Sequence, residues 1–211
     1  MNIKQMYGLK ITELLKKYHS KNEPLAETGF FIFENFEENA ILFIGINPSN
    51  VKNIHKYSIY KEDGIYWGRE EFKKEHNFYQ HFDELSCGMK WSHLDLYFTL
   101  ETKQEKLEKM LGNTFLLEQY NISEEIIHII QPKIIVVGNA YASRLIRNGY
   151  CCEFDKDIGT YRIKNFNNIP IFFSGIFTGS RALDVGSRER LIWHIGFVKE
   201  KYMVERSSDN T

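Results

Sequence analysis

The run Ile41-Leu42-Phe43-Ile44-Gly45-Ile46 stops at Asn47-Pro48-Ser49, and that abrupt change constrains the fold more than any other feature of the chain. The run is short for a helix, rich in Ile and Phe and without alternation, which fits a strand covered on both faces. Gly45 lets the backbone approach a neighbour closely. Pro48 fixes its own φ and biases Asn47 towards an extended conformation. Asn47 and Ser49 are therefore expected just beyond the strand's carboxyl end, the edge at which open α/β sheets bind ligands. Taken alone, the turn fits equally well a β-α connection whose Asn and Ser cap the next element.

Similar transitions recur. Lys133-Ile134-Ile135-Val136-Val137-Gly138 is β-branched almost throughout and runs into Asn139 and a helix over Ala140–Asn148, closed by Gly149. Ile169–Phe173 opens into Ser174-Gly175-Ile176-Phe177-Thr178-Gly179-Ser180-Arg181, followed by a helix over Ser187–Val198 that carries Arg188 and Arg190 near its start. Leu94–Leu100 reads as a further core strand. Ile3, Tyr7, Ile11, Leu14, Leu15 and Tyr18 recur at helical spacing with lysines between them, an amphipathic surface helix. Phe30–Phe33 reads as an edge strand or covering loop, and Asn50–Phe82 as loops and short helices over the sheet edge. Lys103–Leu111 is expected to be a charged helix. Ser123 is read as the N-cap of a helix over Glu124–Ile130 that stops at Pro132. Tyr150–Lys164 is expected to hold one or two short strands around Asp157-Ile158-Gly159. Strands alternating with helices give an α/β fold: three layers, α/β/α, around a mainly parallel, roughly four-stranded central sheet. A single domain is expected over residues 1–206, with residues 1–40 as N-terminal helix and covering segment and 207–211 as a disordered tail.

Composition narrows the function. The chain has 211 residues and a net charge of −1, so nothing pulls it globally towards nucleic acid, and any such site must be a local basic patch. Aromatics reach 15%, enough to supply stacking surfaces, although an aromatic core accounts for them as well. Cys87, Cys151 and Cys152 have neither zinc-knuckle spacing nor a disulfide framework, and the seven histidines show no metal-ligand spacing. No metal and no cofactor are expected. Lys4, Lys10, Lys16 and Lys17 interrupt the N-terminal apolar residues, and no apolar run approaches membrane-spanning length, so a cytoplasmic protein without a membrane partner is expected, as a monomer. Phosphate-loop, dinucleotide and nucleophile-elbow motifs are absent.

The strand ends at Gly45–Ser49, Gly138–Ala140 and Ser174–Arg181 can converge on one crevice. Gly179 and Ser180 offer backbone N–H groups to an anion, and Arg181 adds a bidentate phosphate donor. Tyr57, Tyr60, Tyr66 and Trp67 follow the first turn and can wall a pocket.

Gly45-Ile46-Asn47-Pro48-Ser49 after an apolar strand resembles the first motif of the uracil-DNA glycosylase superfamily, closest to its mismatch-specific branch with a Gly-Ile-Asn-Pro turn. Lys133–Ala140 is similar to that fold's penultimate strand. Ile169–Arg181 falls where its second motif, a strand and a Ser/Gly-rich minor-groove loop, belongs. The resemblance implies a four-stranded parallel sheet between helices with a base pocket at the strands' carboxyl ends. It implies a flipped base stacked on an aromatic ring and held by its edge while water attacks the sugar carbon. By position, Asn47 orients the water, Ser174 stands in the second motif, and Gly45, Ile46, Pro48, Ser49 and Asn139 line the base site. Tyr60 is the stacking ring, with Tyr57 as second choice. Gly175, Thr178, Gly179, Ser180, Arg181 and Arg188 form the DNA or phosphate contacts. The chain departs from the family at Phe173-Ser174-Gly175, where most active members carry His-Pro-Ser or Asn-Pro-Ser, and at Asn47, where the faster branches carry Asp. Three functions are therefore set side by side: an N-glycosylase for damaged or mispaired bases, a catalytically inactive nucleic-acid or nucleotide-binding module, and a small-molecule hydrolase.

Overall fold

The structure, a computed structural model, describes residues 1–49, 57–109, 113–178 and 182–208. Its strands are β1 (Phe30–Phe33), β2 (Ile41–Gly45), β3 (Ile59–Glu62), β4 (Ile65–Gly68), β5 (Trp91–Asp95), β6 (Ile134–Val137), β7 (Cys152–Asp155), β8 (Thr160–Ile163) and β9 (Ile169–Phe173). Its helices are α1 (Ile3–His19), α2 (Pro24–Glu27), α3 (Glu70–Glu75), α4 (Phe82–Leu85), α5 (Gln104–Lys109), α6 (Thr114–Ile130), α7 (Ala140–Gly149) and α8 (Val185–Ser208).

The main sheet has six strands in the order β5-β2-β6-β9-β8-β7. Its four consecutive strands from β5 to β9 are parallel, and the β7–β8 hairpin adds an antiparallel edge. The α/β class and the parallel centre agree with the sequence; the sheet is wider than the expected four strands because Cys152–Ile163 pairs onto β9. β2 lies at the interior of the sheet and its Ile41–Ile44 are buried, as an unalternating apolar run requires. Phe43, Val136 and Phe172 share one register row and one face. On that face α4 packs Phe82 on Phe43 at 4.4 Å, and α8 packs His194 on Phe172 at 5.0 Å. On the other face Arg147 of α7 lies over Phe173 and Tyr161. Helices thus cover both faces.

A second, three-stranded sheet, β1-β4-β3, lies beside the β5 edge. Its β3–β4 hairpin turns at Asp63-Gly64, both with positive φ (50° and 83°), the conformation that Asp-Gly favours in a two-residue hairpin loop. This hairpin occupies part of the stretch expected as loops and short helices. β1 joins the two sheets through Phe31 N–H to Phe98 C=O at 2.8 Å.

Three further boundaries differ from the sequence reading. The strand expected at Leu94–Leu100 is Trp91–Asp95. Residues 96–100 are instead buried between β1 and the segment after β2, with Tyr97 N–H bonded to Ile46 C=O at 2.9 Å. Ser123 is not a cap. Helix α6 begins nine residues earlier under Asn113, whose Oδ1 accepts from Phe115 N–H at 2.8 Å, and the Ser123 hydroxyl donates to Leu96 C=O at 3.0 Å. Finally, α8 continues to Ser208, past the expected start of a tail; residues 209–211 lie outside the described residues.

Candidate functional site

The site starts from the β2–β5 register. Phe43 pairs with His93 and Gly45 with Asp95, so His93 and Asp95, two apart on β5, point to the same face. Both are nearly covered: the imidazole is 3% exposed and the carboxyl 10%. Gly45 makes the arrangement possible. A Cβ on residue 45 would overlap Asp95 Oδ1 and stand 3.1 Å from His93 Nε2, so only glycine leaves the carboxyl its place across the end of β2.

Beyond Gly45 the chain runs beside the segment following β5. Leu96 N–H donates to Gly45 C=O, Tyr97 N–H to Ile46 C=O and Glu101 N–H to Pro48 C=O. The Asn47 amide closes this arrangement by donating to the carbonyls of Glu101 (2.6 Å), Pro48 (2.9 Å) and Thr99 (3.3 Å). Its NH₂ group is thereby committed, and Oδ1 is the end left to accept a hydrogen bond. Gln119 anchors the same segment from α6, its Oε1 accepting from Phe98 N–H at 2.7 Å and Thr99 N–H at 3.1 Å.

Asn47, Pro48, Ser49, His93 and Asp95 line a cavity of about 80 Å³ walled by Phe31, Phe72, His76, Phe78 and Tyr79. The wall comes from β1, α3 and the turn Asn77–Tyr79, and its rings interlock: Phe72 meets Tyr79 at 5.8 Å and Phe78 meets His93 at 5.4 Å. A cavity engineered to take up benzene measures roughly 150 Å³, so this one admits the edge of a single ring.

Burial governs the charges here. It pushes the Asp95 carboxyl up to about 8. It pushes the His93 imidazole down to about 3, with Lys73 adding to the effect. His93 Nε2 and Asp95 Oδ1 lie 3.8 Å apart, too far for a hydrogen bond. Although the spacing is that of a loose ion pair, both groups are uncharged at neutral pH because a buried charge without good hydrogen bonds is costly. Among the described residues, His93 Nε2 is buried without a hydrogen-bond partner. A neutral carboxyl group both donates and accepts. The floor therefore presents unsatisfied, uncharged hydrogen-bonding groups inside an aromatic wall, which suits a flat polar heterocycle better than an anion.

The structure separates the residues expected from the sequence into groups. Of the first segment, Asn47, Pro48 and Ser49 line this cavity, whereas Gly45 and Ile46 do not. Tyr57 stands behind its wall, 5.3 Å from Phe72 and 5.4 Å from His76. Tyr60 is elsewhere, on the small sheet, its hydroxyl accepting from Lys4 Nζ at 2.9 Å and its ring under Arg69. Asn139 caps α7, Oδ1 accepting from Tyr141 and Ala142 N–H at 2.8 and 3.0 Å; Asn139→Ala is expected to cost about 1 kcal/mol in a denaturant titration. Ser174 N–H extends the sheet to Val137 C=O, and Gly175 lies against Leu183. Neither lines the cavity, and nor does Thr178. Phe177, close to them in sequence, packs on Phe43 and Phe82 and lies directly over Gly138. Arg188 sits against His81, with its Nε 3.7 Å from Glu84. Gly179, Ser180 and Arg181 lie outside the described residues.

His93, Asp95 and the ring wall went unread in the sequence. The available signal was Trp91-Ser92-His93-Leu94-Asp95, where polar residues at alternate positions of a buried strand end at its carboxyl edge.

Compared with protein-family models, curated proteins and solved structures, the chain matches none. Among the described residues, no three His, Cys, Asp or Glu side chains are grouped to hold a metal ion. No helix among them is long and apolar enough to cross a membrane.

Proposed function

We propose that the cleft at the ends of β2 and β5 binds the edge of a nucleobase, and that the chain is a divergent N-glycosylase for a damaged or mispaired base in DNA. One observation carries this reading: Asn47, His93 and Asp95 face a single aromatic-walled cavity at the carboxyl edge of a parallel sheet. The protonated Asp95 carboxyl offers a donor and an acceptor to the matching pair on a base edge. In the reaction, a water held by a hydrogen bond to Asn47 Oδ1 adds to the sugar carbon as the bond to the base nitrogen breaks, and the proton that the water sheds passes to solvent. The departing base takes the electron pair, and a donor at Asp95 meets the negative charge that develops on it. That donor does on the β5 side what a histidine of the second motif does elsewhere. The cavity's size favours a pyrimidine entering edge-first over a purine.

A second reading has its own support. The cavity holds only part of a ring, and Ser174 does not line it, an arrangement suited to a binding module without catalysis. Incubation with uracil-containing or mispaired oligonucleotides, followed by alkaline strand cleavage, decides between them. Cleavage that falls a hundredfold or more in Asn47→Ala and in Asp95→Ala is expected. Binding without cleavage selects the inactive module. Neither binding nor cleavage leaves the small-molecule hydrolase.

A further inference from the structure

On the outer face of α8, opposite the buried Ile195 and Val198, Trp193 is 70% exposed and Phe197 40%. One helical turn apart, their rings stack with centroids 5.8 Å apart and planes within 6° of parallel. They form one wall of a shallow groove whose other wall is the β7–β8 turn, Lys156-Asp157-Ile158-Gly159. The turn is fastened to the helix. His194 Nε2 lies 2.6 Å from Ile158 C=O, and Lys201 Nζ donates to Asp157 C=O at 2.8 Å. Gly159 has a φ of +67°, and a Cβ there would stand 3.2 Å from His194 Nε2. The groove is therefore built from two elements held in fixed relation, with nothing among the described residues covering its rings.

Its rim identifies the occupant. Lys156 and Arg190 line the groove, and the Lys201 ammonium stands 5.9 Å over the Phe197 ring. Within the lining two cations face one carboxylate, Asp157; Lys201 adds a third cation from beside it, and the Asp184 carboxylate acts on Arg190 from outside the groove. The patch is thus locally positive on a chain whose net charge is −1. An apolar protein partner would have to desolvate those cations without neutralising them. A polymer with flat stacking faces and a regular line of negative charge satisfies both the rings and the rim. Trp193 leaves a ring face open to continue the stack.

We propose that this groove binds single-stranded nucleic acid, with a base stacked on the Trp193–Phe197 pair and the phosphates beside it meeting Lys156, Arg190 and Lys201. The site is separate from the β2–β5 cleft and does not depend on catalysis there. The test is a titration of the full chain with fluorescein-labelled oligothymidylate, followed in parallel by tryptophan emission. Saturable binding is expected, with quenching of Trp193 and a slope of log K against log salt of about −2, from three phosphates released at roughly 0.7 each. Trp193→Ala and Phe197→Ala are each expected to weaken binding about tenfold. Their far-UV circular dichroism is expected to match the parent, since both rings project from the surface. Trp193→Phe keeps a stacking ring and is expected to retain binding while losing the quench. An absence of binding overturns the proposal, as does undiminished affinity in the Trp193→Ala/Phe197→Ala double variant. So does a concentration-dependent dimer, seen in sedimentation, that Trp193→Ala abolishes in a chain that ignores oligothymidylate; the patch would then belong to a second copy.

Discussion

At pH 8, Asp95→Asn is expected to unfold at a higher temperature than the parent chain, while at pH 4 the two melt together. The unfolded Asp95 carboxyl loses its proton near 3.8, whereas in the folded chain burial holds it to about 8. Between those values the folded form binds one proton more than the unfolded form, so stability falls as pH rises. His93 acts in the opposite sense: unfolded it titrates near 6.5, folded near 3, so its contribution rises with pH across that interval. From about 4 to 6.5 the two oppose each other, and from 6.5 to 8 Asp95 acts alone. The asparagine variant keeps the shape and the neutral hydrogen-bonding groups but has no proton to lose. Its advantage over the parent is therefore expected to grow with each pH unit, towards a ceiling of about 5 kcal/mol at pH 8. At roughly 2–4 °C of melting temperature for each kcal/mol in a chain of this size, the divergence is readable by calorimetry across a pH series. Parallel melting curves at every pH would show that Asp95 ionises normally and would remove the neutral donor from the cleft.

Gly45→Ala is expected to damage the same site by crowding. The added methyl would overlap Asp95 Oδ1 and come within 3.2 Å of Asp95 Cγ. The β2–β5 pairing on either side, from Ile41 to Gly45, fixes the backbone. The side chain must therefore move, and displacing it drives the carboxyl into the rings of the wall. A loss of about 1–3 kcal/mol is expected in a denaturant titration, together with loss of the base binding proposed for the cleft. The double variant Gly45→Ala/Asp95→Ala separates crowding from a general intolerance of alanine on β2. Removing the carboxyl makes room for the methyl, so the second substitution is expected to restore part of the stability, with a coupling of about 0.5–3 kcal/mol. Strictly additive losses would mean that residues 45 and 95 do not share this space.

The parts of this architecture visible in the sequence are those in which one local rule suffices. β2, β6 and β9 are continuous apolar runs that nothing else could accommodate, and Gly45-Ile46-Asn47-Pro48 could hardly be anything other than a strand end. What was hidden depended on long-range pairing. Leu94–Leu100 looked like a strand throughout because it is buried, yet beyond Asp95 its burial comes from β1 and residues 46–48 rather than from the sheet ladder. That displacement concealed His93 and Asp95, whose common face becomes apparent only when β5 begins at Trp91. Tyr60 stood at a suitable distance along the chain, but the Asp63-Gly64 hairpin carries it onto the small sheet. Asn139 and Ser123 show the other ambiguity: each has side-chain chemistry suited to a site or a cap, and only the neighbouring amides and carbonyls decide which it performs. The cleft was legible on its β2 side and unread on its β5 side.

The cleft's floor and wall stand in different relations to the sheet. The wall residues from Phe72 to Tyr79 belong to α3 and the turn after it, none of which enters the ladder of the main sheet. A change of length there alters the shape of the opening while every rung between β2 and β5 stays in place. Slipping β5 by a single residue instead would turn His93 and Asp95 outward together and bring Ser92 and Leu94 to the floor. The mouth of the cleft is thus open to variation by insertion and deletion, whereas its acid-bearing platform tolerates almost none.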